Sequence, residues 1–150
     1  FYVEHNRGHH VRVATPEDPA SARFGETFWE FLPRSVWGSL KSSWELEAAR
    51  LRRQGRSPWD PKTYWSNDVL NAWAMSVVLY GALIAVFGVA LIPYVVVSAV
   101  FGFTLLETVN YLEHYGLLRQ KTESGRYERC APKHSWNSDH IVTNLFLYHL

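Results

Sequence analysis

The chain has 150 residues, the length of one ordinary domain, with 15 Lys and Arg against 14 Asp and Glu and a formal net charge of +1. Cations interleaved with acids at so small a net charge argue against nucleic-acid binding, which needs a basic face. A single cysteine, Cys130, excludes an internal disulfide and fits a reducing compartment.

These averages hide two kinds of sequence. From Val69 to Leu106 there is no Asp, Glu, Lys, Arg or His, so every charged residue and all seven His lie outside that stretch. Such a partition belongs to a membrane protein. The chain begins at Phe1 without an initiator Met, a charged leader region or a cleavage site, and ends in the apolar-rich run Ile141–Leu150; both ends read as cuts in a longer chain.

In chain order, the first feature is Glu4-His5-Asn6-Arg7-Gly8-His9-His10. As an α-helix this segment puts His5 and His9 on one face, able to share a metal, with His10 turned about 100° away and able to serve a second. Neutral imidazole suits Zn, Cu, Fe and Ni, so the heptad alone leaves the metal open. Solvent-exposed histidines at a polar helix end are the plainer alternative. Thr15-Pro16-Glu17-Asp18 reads as a helix start: an N-cap, a proline at the first position and two acids for the dipole. After Pro33, Trp37, Leu40, Trp44, Ala48 and Leu51 recur every three or four residues, which predicts an amphipathic helix packed on the rest of the protein in preference to one lying on lipid. Gln54-Gly55-Arg56-Ser57-Pro58 ends it.

The uncharged stretch would be about 57 Å long as one helix, almost twice the ~30 Å hydrocarbon core. Two spans fit better, from about Val69 to Ile92 and from about Pro93 to Tyr111, with the turn at Ile92-Pro93. Arg50, Arg52, Arg53, Arg56 and Lys62 precede this hairpin and Arg119, Lys121, Arg126, Arg129 and Lys133 follow it, which predicts that both flanks are cytoplasmic. Trp59, Tyr64, Trp65 and Trp73 at the entry, and Tyr111 and Tyr115 at the exit, suit an interfacial aromatic belt. Gly81, Ala85, Gly88, Phe101 and Phe103 on the spans could line a channel, although lipid-facing or helix-packing roles are the commoner ones for such residues.

The second chemical feature, Asn110-Tyr111-Leu112-Glu113-His114-Tyr115-Gly116-Leu117, lies at the exit of the second span. Glu107, Asn110 and His114 share a helix face there, and ionisable groups so close to a bilayer usually face a protein interior or a wet cavity. A ligand His commonly needs a carboxylate or carbonyl on its other nitrogen, which Glu107 or Glu113 could supply; simple anchoring of His114 at the interface is the alternative. Cys130, His134 and His140 lack a fourth ligand for a structural zinc, so this stretch reads as a polar loop capping a site, with Ser138 or Asp139 starting the last helix. His149, on an apolar helix, reads as a core residue.

Together, EHNRGHH, TPEDPASARFGETFWEFLPRS, NYLEHYGL and RYERCAPKHSWNSDHIVTNLFLYHL resemble, in order and over essentially the whole chain, the integral-membrane alkane 1-monooxygenases within the fatty acid desaturase-like group of histidine-box di-iron enzymes. The resemblance implies an all-α fold: a membrane helical bundle fragment with one transmembrane hairpin and cytoplasmic histidine-bearing helices, divided as 1–68, 69–111 and 112–150. It implies that His5, His9, His10 and His114 are ligands of a two-iron centre; the helix spacing above places Glu107, Asn110 and Glu113 beside His114. Two further boxes, HELxHK-type upstream and LQRHSDHH-type downstream, complete the family's centre and are absent here, so the segment alone should not build a working site. The implied reaction is terminal hydroxylation of medium-chain n-alkanes by O2, with electrons from rubredoxin and its NADH-dependent reductase, at the cytoplasmic face of a bacterial inner membrane.

A xylene-type hydroxylase, an epoxidase or a fatty acid desaturase would use the same histidines. A membrane metal transporter should carry ionisable groups through its spans, and none occurs between Val69 and Leu106. A membrane zinc protease needs Glu directly after its first His, where Asn6 stands.

Overall fold

The computed structural model describes residues 2–136, 140 and 141. Ser138, Asp139 and His149, and with them the expected last helix, lie outside the described residues. What is described is helical, apart from an isolated antiparallel bridge between Lys121 and Tyr127. In order come α1 (Tyr2–Glu4), a π-helical turn (His5–His9), α2 (His10–Arg12), α3 (Phe28–Arg53), a 3-10 turn (Pro61–Ser66), α4 (Asp68–Phe87), a 3-10 turn (Val89–Leu91), α5 (Ile92–His114) and a last 3-10 turn (Pro132–His134).

Thr15–Asp18 does not begin a helix. Pro19 disfavours a helical Asp18, and the Asp18 side chain turns inward, where it accepts hydrogen bonds from the Ala20 amide and the Ser21 hydroxyl. The next helix starts at Phe28, ahead of the expected boundary at Pro33, because the Glu30 carboxylate reaches back to the amide and hydroxyl of Thr27 at 2.9 and 2.8 Å. Pro33 leaves the Trp29 carbonyl without its helical donor, on a residue that is exposed.

The packing face of α3 also differs from the expected one. Ala48 and Leu51 are buried, but Trp37 and Leu40 are exposed, and the buried row is Phe31, Ser35, Ser39, Ser42 and Glu47. Small hydroxyl side chains let neighbouring backbone approach closely and supply hydrogen bonds: Ser35 donates to Glu107 on α5 at 2.5 Å, and Ser42 accepts from Arg12 at 2.5 Å. The N-terminal part of the apolar row, Trp37 and Leu40, is thereby left facing outward.

Asn67 caps α4, its side chain accepting from the amides of Val69 and Leu70 at 3.0 Å each. The hairpin breaks at Gly88, with φ 83° and ψ 169°, and not at Ile92-Pro93. Glycine tolerates that backbone after a helix, whereas Pro93 sits in the first turn of the next one, where its missing N–H costs nothing. Two helical stretches, Asp68–Phe87 and Val89–His114, are long and apolar enough to cross a membrane. The second has 26 residues, about a turn and a half more than the ~20 that suffice for ~30 Å of hydrocarbon. Trp59, Trp65 and Trp73 at the entry are exposed. At the exit, by contrast, Tyr111 and Tyr115 turn onto the protein: the Tyr111 hydroxyl donates to the Glu26 carbonyl at 2.7 Å and that of Tyr115 accepts from the Gly25 amide at 3.0 Å.

Candidate metal centre

Four imidazoles from two distant stretches meet beyond the end of α5. His5 and His9 lie in the π turn and His10 follows it as the first residue of α2, its amide donating to the His5 carbonyl five residues back. The wider turn changes the expected geometry: His10 is not swung away, and its Nε2 stands 3.2 Å from that of His5. Gly8 permits this packing, since a Cβ there would overlap the Glu4 carboxylate, which is buried and accepts from Arg12 at 2.8 Å. The rings of His5 and His9 stack with centroids 5.5 Å apart, and His9 lies 4.9 Å from His114 by the same measure.

Hydrogen bonding selects the free nitrogen on two of these rings. His9, 4% exposed, has Nδ1 2.9 Å from Oδ2 of Asp18, itself 2% exposed. Burial raises the Asp18 pKa, but hydrogen bonds from His9, Ser21 and Ala20 outweigh it and hold the carboxyl below its ordinary value. An ionised carboxylate can only accept, so His9 donates to it from Nδ1, and Nε2 is the nitrogen left to face a metal. Nδ1 of His114 is 3.3 Å from the backbone oxygen of His134, which likewise can only accept, leaving His114 Nε2 free. The pKa values of His5 and His10 are lowered, first by burial and then by neighbouring histidines, which favours the neutral form that can ligate.

The partner on the other nitrogen of His114 is therefore neither Glu107 nor Glu113. Glu113 lies 3.9 Å from His114 Nε2, beyond hydrogen-bond reach. Glu107 is fully buried, takes the Ser35 hydroxyl on Oε2 and leaves Oε1 without a partner; Asn110, one turn on, is also buried. The residue that sequence reading missed is Asp18, a carboxylate held against a histidine of the cluster as metal-binding histidines commonly require. Its only sequence signal, a D-P step inside a run of turn formers, also fitted a helix start.

The loop after α5 folds back on the end of that helix and on the segment after α2. The Trp136 amide donates to the Glu113 carbonyl at 2.8 Å and its indole to the Tyr115 carbonyl at 2.9 Å. Arg119 reaches the Val11 carbonyl at 2.7 Å and its amide the Ala14 carbonyl at 2.7 Å, pinning Ala14 at φ 55°. Both ring nitrogens of His134 are engaged, by the Ala131 amide and Glu128, while Cys130 and His140 are exposed, so nothing here assembles the Cys130, His134, His140 set.

Among the described residues, no three or more His, Cys, Asp or Glu side chains converge on one metal position. The donor chemistry nevertheless fits a transition metal: four imidazoles, two with the ligating nitrogen selected by an acceptor on the other, and a 3.2 Å nitrogen pair of the spacing that neighbouring ligands adopt at bond lengths of about 2.0–2.1 Å.

The fatty acid desaturase family model matches residues 1–150. The chain is 55% identical over 152 residues to alkane 1-monooxygenase of Acinetobacter baylyi, covering 100% of this chain and 36% of that protein. It is 47% identical over 150 residues to alkane 1-monooxygenase of Ectopseudomonas oleovorans, again covering 100% of this chain and 36% of the relative. With the hydroxylase component of xylene/toluene monooxygenase of Pseudomonas putida it shares 30% identity over 135 residues, 90% of this chain and 34% of that protein. The chain thus spans about a third of the length of these relatives. A helical chain with two apolar spans, four clustered imidazoles at the end of the second, and a family match from the first residue to the last belongs to the fatty acid desaturase family.

Proposed function

We propose that the chain is part of a membrane-embedded di-iron monooxygenase that hydroxylates the terminal carbon of medium-chain n-alkanes. The observation that carries this reading is the set of four imidazoles, two with Nε2 left free, beside an apolar hairpin in a chain so similar to alkane 1-monooxygenases. Two iron ions, when bound, supply the activation of O2. His5, His9, His10 and His114 would hold them together with ligands from the rest of the protein. Asp18 and the His134 carbonyl keep His9 and His114 in the ligating tautomer. The exposed apolar faces of α4 and α5 give an alkane dissolved in lipid a water-free approach, with Gly81, Ala85, Phe101 and Phe103 on that path. The polypeptide's work is to place a C–H bond at the centre and keep water and stray reductants away. Glu107 and Asn110 line the inner face of α5 toward α3, outside hydrogen-bond contact with the rings.

Electrons would come from rubredoxin and its NADH-dependent reductase at the cytoplasmic face of the bacterial inner membrane, the side on which the cationic flanks of the hairpin are expected to lie. The similarity to the xylene/toluene hydroxylase component supports one second reading, oxidation of a methyl group on an aromatic ring.

The test is a chimera in which this segment replaces the matching region of the Acinetobacter baylyi enzyme, assayed in membranes with rubredoxin and reductase, beside the same chimera carrying His114→Ala. We expect 1-octanol from octane and two irons per chain, with both lost in the equally expressed variant. Zinc in place of iron would overturn the oxygenase reading. Turnover of xylene but not octane would move the assignment to the aromatic hydroxylases, and an unchanged His114→Ala variant would remove His114 from the centre.

A further inference from the structure

The histidine turn is gripped from its far side by an ionic cluster built on one buried carboxylate, Glu47, whose partner Arg7 is itself exposed. Arg7 stands two residues from both His5 and His9, which places it on the opposite side of the turn from their rings. Its guanidinium donates to Glu47 Oε2 at 3.2 Å and to Asp68 Oδ2 at 2.8 Å. Glu47, on α3, is fully buried, and its carboxylate gathers donors from three elements: Arg7 from the π turn, Arg50 from α3 at 2.9 Å to Oε2 and 2.5 Å to Oε1, and the backbone amide of Asp68, the first residue of α4, at 2.8 Å. Arg50 also reaches the Ser66 carbonyl just ahead of α4. Burial would raise the Glu47 pKa, but Arg50, the Asp68 amide and Arg7 more than offset it and keep the group ionised.

We propose that Glu47 is a positioning residue: through Arg7 its buried carboxylate fixes the rotation of the histidine turn, and through Asp68 it sets that turn against the start of the first membrane span. A π turn is rare and occurs mostly as a single turn, frequently at a functional site, and here it is held by contacts from outside itself. Arg7 is the only cation in His5–His9, and both partners of its guanidinium lie outside the turn. A carboxylate as buried as that of Glu47 is a poor device for stability alone, since desolvation offsets much of its attraction to Arg7 and Arg50; holding a particular register is the best-supported use of such a group. The cluster thus ties the metal-binding turn to the helix that bounds the approach from the bilayer.

This inference rests on the metal-centre reading, and the experiment separates the two. In the chimera described above, Glu47→Gln, Arg7→Met and the double variant are purified beside Lys41→Met, which breaks an exposed pair with Glu45. Iron per chain, the affinity and visible spectrum of the Co2+-substituted protein, and the melting temperature of the metal-free protein are recorded for each. We expect metal affinity to fall at least tenfold in Arg7→Met, the scale seen when an outer contact of a ligating histidine is removed. In Arg7→Met, which leaves Glu47 paired with Arg50, the Co2+ spectrum should be altered and the metal-free melting temperature close to that of the parent; the double variant should bind no more weakly than the weaker single one, because both changes cut one connection. Stoichiometric metal with an unchanged spectrum in both single variants would overturn the proposal. So would a loss of metal that merely tracks a lowered melting temperature in every variant. A parent chimera that takes up no metal would bring down the metal-centre reading itself, and this one with it.

Discussion

Asp18→Asn keeps the size of the side chain but replaces the ionised acceptor on His9 Nδ1 with an amide that can present either a donor or an acceptor. His9 then loses its fixed tautomer, so we expect metal affinity to fall about 10- to 100-fold with little change in expression, measured as iron per chain in the chimera. Retention of full iron content would show that His9 does not depend on Asp18. Glu128 offers a pH test in the loop after α5. Its carboxyl is held down at about 2 from 4.5, first by Lys133, then by the Gln120 amide and His134. Because the folded pKa is depressed, the stabilisation is complete above about 4.5 and is lost as pH falls from there toward 2. Hydrogen exchange of the Gln120 region, corrected for intrinsic rate, should therefore accelerate between pH 5 and pH 3 in the parent and show no such step in Glu128→Gln. At this scale the sequence marked the four histidines by residue type and spacing. It could not mark Asp18 or the His134 carbonyl, because a buried acceptor is defined by what the chain folds against it.

Among the elements, α4 and α5 were legible, since an uncharged run too long for one span is a compositional fact. Where the hairpin breaks was less so: both a Gly and an X-Pro step were available, and the backbone decided for Gly88, whose φ and ψ only glycine adopts without strain. Gly88→Ala should destabilise the hairpin by ~1–3 kcal/mol, read as a lower melting temperature in detergent at unchanged helix content; an unshifted melt would mean that the turn is set elsewhere. The face of α3 was misread for a physical reason. Periodicity finds the apolar side of a helix but not what that side meets, and beside a bilayer the inner contact can be the serine row. The π turn was also hidden, because i+4 and i+5 histidines are compatible with α spacing and only the His5–His10 contact shows the wider turn.

For the whole molecule, a hairpin returns both flanks to one side of the membrane. Single cysteines placed at Trp59 and at Arg126, with Cys130 replaced by Ser, should react with a membrane-impermeant maleimide from the same side, and from the cytoplasmic side if the cationic flanks orient the protein as expected; labelling from opposite sides would exclude the hairpin. The sequence by itself determined the membrane class, the pair of spans, the histidine inventory and the family resemblance, because each depends on composition and local spacing. Only the tertiary structure decided that His114 meets a turn more than a hundred residues earlier, that Asp18 and the His134 carbonyl select their tautomers, and that Glu47 grips Arg7 from the far side. Contacts between residues far apart in sequence leave no periodic trace in the chain; they exist only once helices pack and buried polar groups find their partners.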